Sequence, residues 1–293
     1  MSEGSENALI DAVVRQVLEQ LRGADAAEVA EEVHARLKGD VAHPRDARAL
    51  ARIVRSTPAR LGVGRCGTRY LTPMYLRLRA DHAVAKDAVY SEVPAEFPRA
   101  MQCVELRTRA RDREQYLLQP DLGRALHAES RALVERDGTR GADVQIILGD
   151  GLSAWALTLN AVALVPALER ELAARDRSIG KRLFVRLARI AVADEIGVAL
   201  GARSTVILVG ERPGLGTGDS LSAYIAYGPK LGQDNAEKNC VSNIRPLGLA
   251  AIEAARAVAD IVARAFEVGA GGVAASVLAR DTGEPRQGKR RRS

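Results

Sequence analysis

The sequence predicts an α/β fold: a Rossmann-like parallel sheet with flanking helices in the C-terminal half, preceded by a mostly helical N-terminal region. Three observations carry that expectation. Short apolar runs alternate with helical patterns from Val144 onward, as strand–helix–strand crossovers require when a sheet is buried on both faces. Glycine-rich polar segments follow two of those runs, at the strand ends where open α/β sheets gather ligands. The composition, 47% hydrophobic but only 3% aromatic, supplies the aliphatic side chains with which helices pack on such a sheet.

The elements follow in order. Leu9, Val13, Val17 and Leu21 recur at helical spacing with charged residues between them and Gly23 as a stop, giving an amphipathic helix over Leu9–Leu21. Residues 24–38 carry a thin stripe of Val29, Val33 and Leu37, a weak helix within a linker that ends near His43-Pro44. From Arg45 to Val93 the pattern is mostly helical, broken at Pro58, at Gly62, Gly64 and Gly67, and at Pro73. Its segment RLGVGRCGTRY is a basic loop, able to cradle an anion on glycine-rich backbone or simply to be solvated. Asp81, His82 and Asp87 share one helix near its start. Val144–Leu148 (VQIIL) is the first strand of the C-terminal half, and Ser153 caps a helix reaching about Ala174. A second strand spans Arg182–Arg189, a short helix Ala193–Leu200, a third strand Ser204–Val209, a further strand Ser222–Tyr227, and an Ala-rich closing helix Leu249–Phe266. The expected organisation is 1–44 as N-terminal helix and linker, 45–135 as a helical region, 136–280 as the Rossmann-like domain and 281–293 as a disordered basic tail.

Several function classes are disfavoured. The formal charge is +6, but five positive residues (Arg286, Lys289, Arg290, Arg291, Arg292) sit in the last eight positions, so the body is nearly neutral. With few aromatic residues it also lacks stacking platforms, and no nucleic acid is expected as partner. No apolar run is long enough to span a membrane and no secretory signal opens the chain, so a cytoplasmic location is expected. Three cysteines without CxxC spacing and four scattered histidines indicate neither a disulfide framework nor a metal site. There is no G-x-S-x-G elbow and no nucleophile triad, so no catalytic residue is expected on this chain.

The two loops LGDGLS and GERPGLGTGDS could line one crevice at the mouth of the sheet. Neither is a phosphate fingerprint, since Asp219 stands where G-x-G-x-x-G needs its third glycine. Glu211 is either an acceptor for hydroxyl or amide donors of a ligand or a partner in a salt bridge to Arg212 or another arginine. The segment NAEKNCVSNIRP clusters Asn239, Cys240, Ser242 and Asn243, a set suited to a ligand rich in amides, with an inert small core residue as the alternative for Cys240.

Taken together and in order, LGDGLS, VGERPGLGTGDSLSAYIAY and NCVSNIRP resemble the small subunit of ethanolamine ammonia-lyase. Upstream, RSTPARLGVGRCGTRYLT, ADHAVAKDAVYSEVP and YLLQPDLGRAL are similar to that family as well, and the likeness covers roughly residues 45–268. The resemblance implies an adenosylcobalamin-dependent lyase of two chains in a hetero-oligomer. In it, a large subunit holds ethanolamine and most of the radical machinery, and the small chain closes over the cobalamin from the other side, its 45–135 region contacting the large subunit. The products are acetaldehyde and ammonia. By motif, the cobalamin contacts fall on Ile190, Glu211 and Cys240, with Ile190 standing where a valine is common. The resemblance implies that the cobalt is held by the cofactor, whose own base is the lower ligand in the family, and the lack of a D-x-H-x-x-G pattern is consistent with that. In the family an amphipathic N-terminal segment can direct the enzyme into a bacterial microcompartment, and the Leu9–Leu21 helix fits that role or, equally, a cap on the large chain. A competing expectation is a non-catalytic scaffold or targeting protein with a degenerate ligand cleft.

Overall fold

A computed structural model describes residues 41, 43–57 and 60–275. The expected helix over Leu9–Leu21, the weaker one over 24–38 and the basic tail at 281–293 lie outside the described residues. The chain divides into two compact units, 1–84 and 85–293.

In the first unit, helix α1 (Ala47–Arg55) is capped by Asp46, whose Oδ1 accepts the Ala49 N–H at 2.9 Å. The basic glycine-rich segment folds back as a two-residue hairpin, β1 (Arg65–Cys66) against β2 (Arg69–Tyr70), with Arg65 stacked 4.5 Å from the Tyr70 ring centroid. Helix α2 (Thr72–Tyr90) runs through the unit boundary. Pro73 does not break it but opens it, because the second helical position needs no N–H. The Asp81, His82 and Asp87 group therefore lies in its middle and last turns rather than near its start, and Asp81 pairs with Arg60 at 2.5 Å.

The second unit is built on one six-stranded sheet of order β3-β5-β4-β6-β7-β8. Its elements after α3 (Phe97–Ala100) are β3 (Val104–Arg107), α4 (Arg113–Leu118), a 3-10 turn (Pro120–Arg124), α5 (Ala128–Asp137), β4 (Val144–Gly149), α6 (Ala154–Ala173), β5 (Leu183–Arg186), α7 (Val192–Leu200), β6 (Ser204–Gly210), β7 (Leu221–Tyr227), β8 (Lys238–Ile244) and α8 (Ala251–Val268). Strands β3, β5, β4 and β6 are parallel, joined through α5, α6 and α7, as the α/β expectation requires. Strands β7 and β8 run antiparallel to their neighbours, so the sheet is mostly rather than wholly parallel. It also takes in residues upstream of 136: β3 is its edge strand, and helix α5 packs on one of its faces.

Alternation along the strands sorts the core into two layers. Ile146, Leu148, Val206, Leu208, Ala223 and Ile225 face α6 and α8 on one side. Ile147, Leu183, Val185, Ile207 and Val209 face α5 and α7 on the other. Ser153 caps α6 as expected, accepting the Ala156 N–H at 3.2 Å. Strand β5 stops at Arg186, short of the expected Arg189, because Leu187 adopts a left-handed φ of 56° and turns the chain out of the sheet. Among the described residues no helix is long and apolar enough to cross a membrane.

The layering leaves one gap. A parallel connection needs a crossover helix, and each such helix covers part of a face; an antiparallel turn needs none. From β6 to β7 to β8 the chain turns back directly. Helix α8 covers one face of these last strands. On the other face, beyond the N-terminus of α7, a hollow remains.

Candidate functional site

That hollow is a cavity of about 930 Å³ lined by the loops after β4, β5 and β6, by β7 and β8, and by the segment 232–235. The sequence-predicted residues Ile190, Glu211 and Cys240 all line it, although 21 and 29 positions separate them along the chain. Both glycine-rich loops contribute, through Gly151 and Leu152 and through Gly210, Glu211 and Arg212.

The floor is held by a buried carboxylate. Asp150 follows β4 directly and accepts the Ala188 N–H at 3.0 Å, with further bonds from the backbone of Leu187 and Gly151, so one side chain ties the β4 and β5 loops together. Burial pushes its carboxyl pKa up, against the downward pull of Arg113 and these N–H groups. Arg113 is itself buried and donates to the Gly151 carbonyl at 2.7 Å and the Ser91 carbonyl at 2.8 Å. The Leu152 N–H donates to the Gly210 carbonyl at 3.0 Å, joining the β4 and β6 loops. This approach explains two glycines. Gly151 has φ +60°, and a Cβ on it would collide with the Gly210 carbonyl; a Cβ on Gly210 would collide with the Ser153 carbonyl.

Glu211 occupies the first position beyond β6. Its Oε1 accepts the Ser222 hydroxyl at 2.6 Å and the Asn243 N–H at 3.0 Å, so it bridges β7 and the end of β8. Of the two readings open from sequence, the salt bridge does not form: neither Glu211 nor Arg212 makes an ion pair among the described residues. Cys240 stands opposite Tyr224 in the β7–β8 register, and its thiol donates to the Ser222 hydroxyl at 3.9 Å. It is exposed on the cavity wall and is not a core residue. Desolvation raises its thiol pKa, and burial pushes the Tyr224 phenol up to about 12.

Ile190 lies on the loop between β5 and α7, beside Arg189. The Arg189 guanidinium lies 4.2 Å from the Tyr116 ring centroid and donates to the Tyr116 carbonyl at 3.0 Å. Tyr116 is fully buried and donates its hydroxyl to the Ala188 carbonyl at 3.0 Å. Two walls of the cavity are clamped below its rim by a buried ion pair: Lys238 at the start of β8 reaches Asp194 in the first turn of α7 at 2.7 Å, with 3% and 2% of the side chains exposed.

Sequence reasoning did not single out Arg189, Ser222, Tyr224 or the Lys238–Asp194 pair. For Arg189 a signal existed, a basic residue between an apolar run and a helix start. For Ser222 and Tyr224 the signal appears only once β7 is paired with β8.

The sequence is matched by relatives. The description "Ethanolamine ammonia-lyase light chain (EutC)" fits residues 47–275. The chain belongs to the ethanolamine ammonia-lyase light-chain family. Ethanolamine ammonia-lyase small subunits from Clostridium perfringens and Clostridioides difficile are each 40% identical to it over 233 residues, 80% of this chain and 79% and 80% of theirs. One from Fusobacterium nucleatum is 42% identical over 218 residues, 74% of both chains. The light-chain family match takes in every residue that lines the cavity.

Proposed function

We propose that this chain is the small subunit of an adenosylcobalamin-dependent ethanolamine ammonia-lyase and that its cavity forms one wall of the corrinoid site. In this reading a large subunit supplies the opposite wall and holds ethanolamine, which is converted to acetaldehyde and ammonia. The observation that carries it is the convergence of Ile190, Glu211 and Cys240 on a single open cavity at the carboxyl end of the sheet.

The residues fit the cofactor chemically. The lining runs from the β5 loop to β8, four inter-strand steps or about 19 Å, long enough for a broad flat ligand. A corrin carries amide side chains around an apolar ring, so its pocket needs apolar cover and separate acceptors and donors. Ile190, Leu152 and Val209 give the cover; Glu211, Ser222 and Ser242 give acceptors; Gln233 and Asn235 offer both. Glu211 is suited to a neutral amide or hydroxyl donor, because its Oε1 is already held by Ser222 and Asn243 and the carboxylate is fixed in place. When bound, the cofactor supplies homolytic cobalt–carbon chemistry. This chain's part is to orient the ring, satisfy its amides and keep water from the closed site.

The test uses the assembled two-chain complex titrated with cobalamin and followed by its visible spectrum. Glu211→Ala removes a charged acceptor worth about 1.5–3 kcal/mol, so Kd rises about ten- to a hundredfold while assembly, read by size exclusion, is unchanged. An assembled complex that binds no corrinoid would defeat the reading. The segment Leu9–Leu21 is, in the same reading, the address to a bacterial microcompartment, motivated by its amphipathic periodicity. Deleting residues 1–23 then abolishes encapsulation with activity retained; unchanged encapsulation speaks against that role.

A further inference from the structure

The cavity is chemically lopsided. Its carboxylates are Glu211 and Asp234, on the loop after β6 and on the segment leading to β8. Where β5 leads into α7 the character reverses. Arg189 is pinned by its stack on Tyr116 and by one hydrogen bond to a carbonyl, yet it forms no ion pair among the described residues. A half-buried guanidinium has five N–H donors, and leaving them unmatched is costly, so native proteins usually provide an anion.

The backbone beside it has the same sign. Helix α7 begins without a side-chain cap, and the N–H groups of Ile190 and Ala191, both lining the cavity, have no acceptor among the described residues. The two acids in its first turn do not offset this, since each is already engaged. Asp194 is bound to Lys238, and Glu195 accepts the Leu126 N–H at 2.8 Å and pairs with Arg131 at 3.5 Å. The other cations on the lining are Arg124, paired with Asp121 at 2.8 Å, and the exposed Arg212. What remains is a fixed cation next to two free N–H groups at a helix start, the donor set that binds phosphate oxygens.

We propose that the Arg189 end of the cavity is an anion subsite for a phosphate group. Resting on the function proposed above, its occupant is the phosphodiester of the cofactor's nucleotide arm. The subsite then fixes which way round the asymmetric ligand sits: phosphate against Arg189, Ile190 and Ala191, amide donors against Glu211.

Two corrinoids separate the possibilities: adenosylcobalamin, and adenosylcobinamide, which lacks the nucleotide arm and its phosphodiester. Binding to the assembled complex is read from visible spectra. Arg189→Gln weakens adenosylcobalamin about ten- to a hundredfold, the scale of one charge-assisted hydrogen bond, and leaves adenosylcobinamide within about twofold of the wild type. Arg189→Lys, which keeps the charge, recovers part of the loss. Equal weakening of both corrinoids, or none of adenosylcobalamin, overturns the subsite while leaving the corrinoid function standing. If the wild-type complex binds neither corrinoid, that function fails, and inorganic phosphate decides the subsite alone. An Arg189-dependent rise in thermal midpoint over chloride at matched ionic strength sustains it, and the absence of one overturns it.

Discussion

Replacing Lys238 by Met is expected to make this protein's stability depend on pH in a direction opposite to that of most proteins. Lys238 and Asp194 are almost wholly buried, with Lys238 Nζ donating to Asp194 Oδ2 at 2.7 Å, and Asp194 Oδ1 has no hydrogen-bond partner among the described residues. Burial already pushes the Asp194 carboxyl pKa upward, while Lys238 pulls it down. With the ammonium gone only the upward cause of any size remains, and a lone buried carboxylate costs about 3–5 kcal/mol. The carboxyl escapes part of that cost by keeping a proton in the folded state. The folded variant then holds one proton more than the unfolded chain at any pH between the ordinary aspartate value, about 3.9, and the raised folded value. Stability therefore falls with rising pH across that window, by about 1.4 kcal/mol per unit. Urea unfolding of the full chain, followed by the fluorescence of its only tryptophan, Trp155, should show a large loss at pH 7 that shrinks at pH 5. A loss under about 1 kcal/mol, the same at both pH values, would refute the view that this pair clamps α7 to β8.

Other expectations follow from the site's scaffold. Tyr116→Phe removes a buried hydroxyl from the Ala188 carbonyl and lowers stability by about 1–3 kcal/mol; an unchanged thermal midpoint contradicts the role of that bond in holding the β5 loop. Gly210→Ala drives a methyl into the Ser153 carbonyl, backbone that cannot swing aside, and should cost about 1–3 kcal/mol in a melt; wild-type stability would show that the loops are not so tightly joined. Alkylation at pH 8, mapped by peptide mass, should reach exposed Cys66 well before Cys103, whose thiol burial pushes up to about 12. Bound corrinoid should slow alkylation of Cys240 and leave Cys66 untouched; the reverse order removes Cys240 from the cavity wall.

How much of this was legible in the sequence depended on the kind of burial each element has. Strands β4 and β6 are buried on both faces, so they read as continuous apolar runs and were found with their ends nearly right. Strand β8 (KNCVSNI) places Cys240 and Ser242 on the cavity wall and buries Lys238 against Asp194, so its apolar residues are too few to announce a strand and it reads as a polar cluster. Strand β3 has four residues on a sheet edge, too short for any period to show. Helix starts were visible both where a side chain caps them, as Ser153 does, and at the uncapped start of α7, expected at Ala193 and found at Val192. For the site, resemblance supplied Ile190, Glu211 and Cys240. Single residues could not, because what brings them together is the strand order β5-β4-β6-β7-β8, set by pairing between distant segments.

The same strand order explains why this chain can carry an open cavity at the end of its sheet at all. Had β6 been followed by another crossover helix, that helix would have lain beside α7 and filled the hollow with apolar side chains. The glycine-rich turn after β6 instead returns the chain at once as β7, and the face that a helix would have covered is lined by Ser222, Tyr224, Cys240 and Ser242. An uncovered polar face at the end of a sheet would drift unless tied down, and the ties are those found: Glu211 across β7 and β8, Asp150 across the β4 and β5 loops, Lys238 into α7. Each of the three spends a charged group on holding backbone or a neighbouring element. Arg189 is held equally firmly and forms no ion pair among the described residues, which makes it the group from which a ligand's charge is to be inferred.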